Sequence, residues 1–255
     1  MQPAFQLENV SKRFENGLLA LDDLSLSADH GERVALIGPS GCGKSTVLRL
    51  LSGLDQPTTG QVSTLNDQTK LGYVFQEATL LPWANVLDNV YMPLRLQGVS
   101  KEAAKADILN LLERLGLGEF QQAFPRELSG GMAMRVSIAR ALITKPMLLL
   151  MDEPFAALDE ITRNDLNDLL IDLHREQNFT LLFVTHSVFE STYLANRVAI
   201  MTQRPGQIAC TIPVPSKPDS VADWRTHADY IAACGSVSAG LRSAMNAGTG
   251  EMLTH

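Results

Sequence analysis

Apolar positions in the first part of the chain change from an alternating to a continuous and then to a helical pattern. Residues 5–10 and 19–28 have the alternating or β-rich positions that are typical of strands. Residues 33–37 are apolar almost throughout, as expected of a strand that is buried on both faces. Residues 44–54 have apolar side chains at helical spacing, with Gly53 near the end. The pattern predicts a strand, a glycine-rich loop and a helix in direct succession.

The middle of the chain is predicted to be mainly helical. A weak strand at residues 61–65 and a polar turn lead to a short buried strand, LGYVF, which ends at Gln76. From Val86 to about Leu117 the apolar positions follow helical spacing, and residues 101–115 form the clearest amphipathic segment. A helical lobe is therefore expected over about residues 77–143.

The second half of the chain alternates buried strands with helices. Such alternation predicts an α/β fold with a mostly parallel sheet that is covered on both faces. The expected elements are a helix from Ser129 to about Ile143, a strand at MLLLMD, a helix from about Glu160 to Gln177, a strand at FTLLFV and a helix after His186.

The composition changes again at PVPSKP, residues 213–218. Residues 1–212 are expected to form the main domain, and residues 213–255 a C-terminal appendage that ends in a frayed, glycine-containing tail. A helix is expected between Ala222 and Met245. Plain stabilisation of the main domain is the simplest role for this appendage, and support of a dimer or regulation are the alternatives.

The overall composition is that of an ordinary globular protein. The 255 residues are 45% hydrophobic and 19% charged, with a formal charge of −7, so no broad basic surface is expected to attract nucleic acid. Cys42, Cys210 and Cys234 have no paired or metal-ligand spacing, which indicates a reducing compartment. The first residues do not resemble a signal peptide, and the most apolar segment, MLLLM, is far shorter than the roughly 20 residues that span a bilayer. The chain is expected to stay inside the cell. If it serves transport, another protein must supply the membrane pore.

A phosphate-binding pattern follows the third predicted strand. The sequence GPSGCGKS, between a strand and a helix, matches G-x-x-x-x-G-K-[ST]. Glycines there let backbone N–H groups converge on phosphate oxygens, and the helix N-terminus adds its positive end. Lys44 is expected to reach the β- and γ-phosphates and Ser45 to ligate Mg²⁺, whereas Cys42 contributes its backbone; an ordinary flexible turn is the alternative. The expected phosphate contacts are Gly38, Pro39, Ser40, Gly41, Cys42, Gly43, Lys44, Ser45 and Thr46.

Further candidate residues stand where buried strands end. Asp152 and Glu153 follow MLLLM, and Asp152 is expected to hold Mg²⁺ while Glu153 polarises an attacking water. His186 follows FVT and is expected to contact the γ-phosphate or to orient that water. Gln76 is expected to reach Mg²⁺ or water through its amide. Taken singly, each of these residues could also be a solvated strand end or a surface residue.

The segment LSGGM, which opens a helix containing RVSIARAL, completes a set of motifs with a family resemblance. Over about residues 5–210 the chain resembles the ATP-binding cassette (ABC) ATPases of membrane transporters. The resemblance implies a P-loop NTPase fold with a small antiparallel β lobe and a helical signature lobe, and it implies ATP hydrolysis with Mg²⁺. The motifs that carry it are the phosphate loop, Gln76, LSGG, Asp152 with Glu153, ALD ending at Asp159, and His186.

The resemblance also assigns roles to particular residues. It implies a head-to-tail pair of chains, in which Ser129, Gly130 and Gly131 contact the ATP held by the second copy. Asp159 is implied to align that interface, and Glu153, His186 and Lys44 to act in catalysis. Phe14 matches the adenine-stacking aromatic, with an ordinary strand or core residue as the alternative.

Two departures from the family pattern are visible. Met132 and Met134 replace the usual glutamines after LSGG, so no side-chain contact of those glutamines is carried over, whereas the Ser129 to Gly131 segment is unchanged. The segment between Gly60 and Leu71 is shorter than usual, so part of an antiparallel hairpin is expected to be missing.

The segment FQEATLLPWANVLDNV, with Trp83, Asp88 and Asn89, is similar to importer ATPases for nitrate, sulfonate and taurine, including a branch for thiamine or other pyrimidine precursors. The resemblance implies a peripheral location on the cytoplasmic face of the plasma membrane, bound to an integral-membrane permease. A periplasmic or lipoprotein solute-binding protein is implied as an indirect partner. The alternatives are an exporter ATPase and a soluble ABC protein of translation or DNA repair; a plain surface loop is the alternative for LLPW.

Overall fold

The computed structural model describes residues 3–64, 70–215, 217–218 and 223–247. Its strands are β1 (Phe5–Arg13), β2 (Leu19–Ala28), β3 (Arg33–Ile37), β4 (Thr59–Thr64), β5 (Leu71–Val74), β6 (Leu148–Asp152), β7 (Thr180–Val184), β8 (Arg197–Met201) and β9 (Ile208–Pro213). Its helices are α1 (Lys44–Leu51), α2 (Val86–Leu96), α3 (Lys101–Arg114), α4 (Gly130–Leu142), α5 (Glu160–Gln177), α6 (Val188–Leu194) and α7 (Ala228–Ala247). Short 3₁₀ helices lie at Gly118–Phe120, Pro125–Glu127 and Trp224–Thr226.

The chain divides into two compact units. Unit 1 comprises Met1–Thr69 and Thr180–His255, and unit 2 comprises Lys70–Phe179. In unit 1, β1 lies between β2 and β4 in an antiparallel sheet, with Leu7 opposite both Leu26 and Val62. The apolar residues of β1 and β2 alternate with exposed ones, as expected of a sheet with one buried face.

The parallel strands of unit 1 form its buried core. β3 lies between β7 and β8, and Val34 is in register with Leu182 on one side and Arg197 on the other. β9 adds an antiparallel edge beside β8. Every residue of β7 and all but the first of β3 are buried, which requires cover on both faces of these strands. α1 contacts β7, α6 contacts β3 and α7 contacts β8.

Unit 2 combines two parallel strands with four helices. β5 and β6 pair in parallel register, with Leu71 opposite Leu148 and Val74 opposite Met151. α4 packs against β5, α2, α3 and α5. The predicted α/β class, with parallel strands, a small antiparallel sheet and a helical segment, is thus confirmed.

The structure corrects several predicted boundaries. The helical stretch from Val86 to Leu117 is two helices, because Gly98 has a left-handed φ of 80° and the Ser100 hydroxyl caps α3 by accepting from the Ala103 N–H. α1 ends at Leu51 rather than Leu54, since Gly53 turns left-handed with φ 72°. β8 and β9 were not predicted. The end of the predicted strand at Leu65 and most of the polar turn predicted after it fall in residues 65–69, outside the described residues.

The C-terminal helix belongs to unit 1. α7 contacts α6, β8 and β9, and a Cβ at Gly240 would lie 2.8 Å from the Ile200 Cδ1 and 2.9 Å from the Ile212 Cδ1. The helix begins at Ala228, whereas the predicted start, Ala222, lies outside the described residues. The domain boundary at residues 212 and 213 stays a prediction. Among the described helices, none combines the length and the apolar character needed to cross a membrane.

Candidate functional site

The loop between β3 and α1 is shaped by its glycines. Gly41 and Gly43 have left-handed φ values of 73° and 107°, which residues with a side chain rarely adopt. A Cβ at Gly43 would also lie 2.7 Å from the Leu21 Cδ2 and 3.0 Å from the Ala20 carbonyl oxygen of β2. Only glycine fits this position, which brings the first turn of α1 close to β2, and the N-terminus of a helix after such a loop is suited to bind an anion.

Lys44 is held inside this loop. Its side chain is 5% exposed, and the Nζ donates to the carbonyl oxygens of Gly38 and Pro39, each at 2.9 Å. The ammonium is therefore fixed at the loop by two backbone acceptors, and it supplies the positive charge that a phosphate needs. Burial raises the pKa of the neighbouring Cys42 thiol, although Lys44 opposes that shift, so the thiol stays protonated near neutral pH.

The outer surface of the loop is accessible. Ser40, Gly41 and Ser45 are exposed, and Pro39 and Thr46 are half-buried. Ser45 is the second residue of α1. Its hydroxyl is an oxygen ligand of the kind that Mg²⁺ accepts, and its exposure leaves it within reach of a bound nucleotide.

Phe14 and His186 are the other predicted site residues of unit 1. Phe14 lies half-buried at the turn after β1, where its N–H donates to the Leu18 carbonyl at 2.9 Å and the Lys12 Nζ lies 5.4 Å from its ring centroid. His186 is exposed between β7 and α6. Both side chains stand in turns at strand ends, where a ligand can reach them.

The predicted acidic pair lies at the end of β6 in unit 2. Leu148 through Met151 are fully buried, whereas Asp152 and Glu153 are half-buried. Glu153 has a φ of 47°, a left-handed conformation that costs free energy for any residue except glycine. The turn that follows is fixed by Arg163, which donates to the carbonyl oxygens of Phe155 and Leu158 at 3.3 and 2.7 Å.

Gln76 is exposed, two residues beyond the end of β5. The loop after it is anchored by Arg140 of α4, whose guanidinium donates to the carbonyl oxygens of Ala78 and Thr79, each at 2.9 Å. Burial lowers the pKa of Arg140 from its usual value, yet the group remains a cation at neutral pH. The anchoring role of Arg140 was not predicted, although the residue lies within the motif RVSIARAL.

The signature segment opens α4. The Ser129 hydroxyl accepts from the Met132 N–H at 3.2 Å, and a Cβ at Gly130 would meet no atom within 4 Å. A Cβ at Gly131 would lie 2.7 Å from the Thr162 Cγ2 of α5. The segment therefore combines a capped helix N-terminus with an accessible glycine, a surface suited to phosphate.

Thr162 links this segment to Asp159. Asp159 caps α5, accepting from the Thr162 N–H at 3.0 Å and from the Thr162 hydroxyl at 2.8 Å. These two hydrogen bonds lower the pKa of the Asp159 carboxyl, which stays ionised. The structure thus brings Gly131 and Asp159 together through one threonine, at the N-termini of two adjacent helices.

The methionines that replace the usual glutamines have different surroundings. Met134 is buried in α4, whereas Met132 is half-buried in its first turn. The Met134 side chain therefore serves the core of unit 2 rather than a ligand-facing surface.

Comparison with known proteins identifies the family. Residues 21–156 match the ABC transporter family. The chain is 45% identical over 199 residues to an aliphatic sulfonates import ATP-binding protein, SsuB, of Bacillus licheniformis. These aligned residues cover 76% of this chain and 77% of the relative. An SsuB protein of Pseudomonas savastanoi pv. phaseolicola is 45% identical over 207 residues, covering 80% of this chain and 84% of the relative.

A solved structure agrees with these relatives. It is the dimeric, post-hydrolysis state of an ATP-binding cassette bound to ADP and Pi, which matches with a TM-score of 0.74 and 33% identity over 83% of this chain and 99% of the other. Sequence and fold therefore agree. The chain belongs to the ABC transporter family, as an ATP-binding subunit that hydrolyses ATP.

Proposed function

We propose that the protein energises an importer of small sulfonate-, nitrate- or taurine-like solutes through a separate integral-membrane permease. The similarity to two subunits named for aliphatic sulfonate import is the observation that carries this proposal. Import of a pyrimidine precursor such as thiamine is the second candidate, which the motifs around LSGGM and MDEPFAALD favour. In either case the subunit lies on the cytoplasmic face of the plasma membrane, and a periplasmic or lipoprotein solute-binding protein delivers the solute.

We propose the following ATPase roles for the residues described. Lys44 and the N–H groups of residues 38–46 bind the phosphates, while Phe14 stacks on adenine. Glu153 polarises the attacking water, and its left-handed backbone is the kind of local strain that is retained at functional positions. His186 contacts the γ-phosphate or orients that water.

Mg²⁺ has a suitable set of oxygen ligands in this chain. The Ser45 hydroxyl, the Gln76 amide oxygen and the Asp152 carboxylate are hard donors, and Mg²⁺ in nucleotide sites is held by few protein ligands together with phosphates and water. When bound, the ion neutralises charge on the phosphates. Asp152 would hold the ion, and Ser45 and Gln76 would be its other protein ligands.

Two copies of the chain are proposed to close head to tail on two ATP molecules. Ser129, Gly130 and Gly131 of one copy then contact the ATP held by the other, with Asp159 at the interface. The capped, accessible N-terminus of α4 supports this role because it offers an anion site to a partner. ATP thereby acts first as a ligand that closes the pair, and hydrolysis lets the pair reopen.

The surface around Trp83 is proposed to receive the permease. Trp83 is 74% exposed, and with Asp88, Arg95 and Lys101 it lines a groove of about 370 Å³ within unit 2. A large exposed aromatic ring beside an apolar and charged groove is typical of a protein interface. A short cytoplasmic helix of the permease fits such a groove.

Affinity purification from gently solubilised native membranes tests the proposal. The tagged chain is expected to bring down a multi-span permease in stoichiometric amount, together with a solute-binding protein. Trp83→Ala is expected to lose the permease, whereas Ile231→Ala, which truncates an exposed side chain of α7, retains it. Recovery of ribosomes or other soluble partners alone would overturn the importer proposal, and a permease without a binding protein would favour an exporter.

A further inference from the structure

An aromatic cluster joins the C-terminal segment to α6. Arg225 of the 3₁₀ helix and Tyr230 of α7 contact Tyr193 of α6, and Trp224 of the 3₁₀ helix lies beside Tyr230 with ring centroids 6.2 Å apart; these four residues are termed the clamp. The Arg225 guanidinium carbon lies 3.8 Å from the Tyr193 ring centroid, a cation–π distance. Tyr230 meets the same ring edge to face, with centroids 6.1 Å apart. Tyr193, Tyr230 and Trp224 are all buried, so the contacts exclude water.

A hydrogen bond ties α7 directly to the α6 backbone. The Tyr230 hydroxyl donates to the carbonyl oxygen of Phe189, in the first turn of α6, at 2.9 Å. Burial, with the Cys234 thiol nearby, raises the pKa of Tyr230, so the phenol remains a donor throughout the physiological range. The clamp therefore holds α6 through one ring and one backbone atom.

α6 depends on such contacts because it is short. It has seven residues, and an isolated helix of that length is unstable in water. Its N-terminus is defined by Ser187, whose hydroxyl accepts from the Glu190 N–H at 3.1 Å and whose N–H donates to the Thr185 hydroxyl at 3.0 Å. His186 lies between Thr185 and Ser187, which are joined to each other by one of these hydrogen bonds. The position of its backbone therefore depends on the first turn of α6.

We infer that the clamp positions His186 for ATP hydrolysis, which makes the C-terminal segment a working part of the ATPase. Tyr230 acts as a positioning residue by fixing the turn of α6 that contains Phe189, three residues after His186. Arg225 acts on the same helix through Tyr193. This inference rests on the proposed contact of His186 with the γ-phosphate or the attacking water.

Two conservative variants test the clamp. Tyr230→Phe removes the hydrogen bond but keeps the ring, and Arg225→Gln removes the cation over Tyr193. We expect each to lower kcat about threefold to tenfold, the range for one lost buried hydrogen bond, while KM for ATP changes less than about twofold. Ser236→Ala is the matched control, because it also removes a hydroxyl–carbonyl bond of α7, from Ser236 to Ala232, on the exposed side of the helix.

A double-mutant cycle separates positioning from general stability. In a His186→Ala background, Tyr230→Phe is expected to change kcat by a factor of about one, since the group on which it acts is gone. The Hε1 resonance of His186 in the NMR spectrum, which needs no turnover, is expected to shift in Tyr230→Phe and Arg225→Gln but not in Ser236→Ala.

An unshifted Hε1 resonance with wild-type kcat in Tyr230→Phe would overturn the inference, and so would an equal loss of kcat in both backgrounds. Either result would leave the proposed role of His186 intact. Wild-type turnover of His186→Ala alone would instead remove that role, and the clamp's function with it.

Discussion

At the scale of single residues, Gly206 shows how the phosphate loop is supported. A Cβ at Gly206 would lie 2.1 Å from the Cys42 carbonyl oxygen and 2.5 Å from the Met201 Cε. The Gly206 N–H donates to the Ala20 carbonyl at 2.9 Å, and the Gly206 carbonyl accepts from the Asp22 N–H at 3.2 Å. The turn between β8 and β9 thus packs against the loop backbone and is also bonded to β2, so it has little room to move aside.

Gly206→Ala is predicted to displace the loop. The extra methyl group collides with the backbone carbonyl of Cys42, and overpacking of this kind costs about 1–3 kcal/mol. We expect a lower melting temperature and an ATP dissociation constant raised at least about fivefold, measured by calorimetric titration.

Gly235→Ala is the control for this prediction. It places the same methyl group on α7 where no atom lies within 4 Å, and an alanine there favours the helix. ATP affinity should stay at the wild-type value. If Gly206→Ala also kept that affinity, the support proposed for the loop would be wrong.

The site residues that lie in one continuous motif were predictable from the sequence. The glycine loop, Lys44 and the acidic pair lie in short segments whose spacing alone indicates their chemistry. Gly206 and Arg140 were missed because their partners are distant in sequence: Cys42 for one, and Ala78 and Thr79 for the other. Contacts between residues so far apart in the sequence become visible only in the folded structure.

At the scale of elements, the loop that precedes α2 is held in place by one buried asparagine of that helix. The Asn89 Oδ1 accepts from the Leu81 N–H at 2.7 Å, and its Nδ2 donates to the carbonyl oxygens of Ala84 and Asn85 at 2.9 and 3.0 Å. Asn89 is fully buried. In the loop that contains Trp83, the Asn89 side chain thus makes the hydrogen bonds to backbone N–H and carbonyl groups that other backbone groups would otherwise make.

Asn89→Ala is predicted to destabilise this loop. It removes the side-chain partner of the Leu81 N–H and of the Ala84 carbonyl, both in the half-buried loop, at a cost of about 2–3 kcal/mol in the free energy of unfolding. Urea denaturation should show that loss, whereas Asn110→Ala, on the exposed surface of α3, should stay within about 0.5 kcal/mol of wild type. Equal stability of the two variants would contradict the organising role of Asn89.

Elements with strong periodicity were predictable, and those that depend on their partners were not. The buried strands β3, β6 and β7 and the helices α4 and α5 follow their apolar patterns closely. β9 has mostly exposed residues and pairs at an edge with β8, so its pattern carries little signal. The break at Gly98 was missed because apolar spacing continues through the turn from α2 to α3.

At the scale of the whole molecule, the proposed mechanism requires that ATP join two copies. Unit 2 presents the capped N-terminus of α4, with Ser129 and Gly130 exposed, and the Asp159 carboxylate beside it. A 33% identical cassette of known structure is a dimer bound to ADP and Pi, which is consistent with the proposed pairing of two copies. In the proposed function, ATP-dependent association of two copies couples nucleotide binding to transport, which ATP affinity alone would not do.

The most direct test is the mass of Glu153→Gln in solution, measured by light scattering after gel filtration with ATP and with ADP. This variant keeps the carbonyl oxygen but loses the base, so it should bind ATP with turnover nearly abolished. We expect a dimer with ATP and a monomer with ADP, and we expect the addition of Ser129→Arg, which blocks the exposed N-terminus of α4, to restore the monomer. A monomer with saturating ATP would contradict the ATP-dependent pairing, and turnover near the wild-type rate would contradict the role of Glu153.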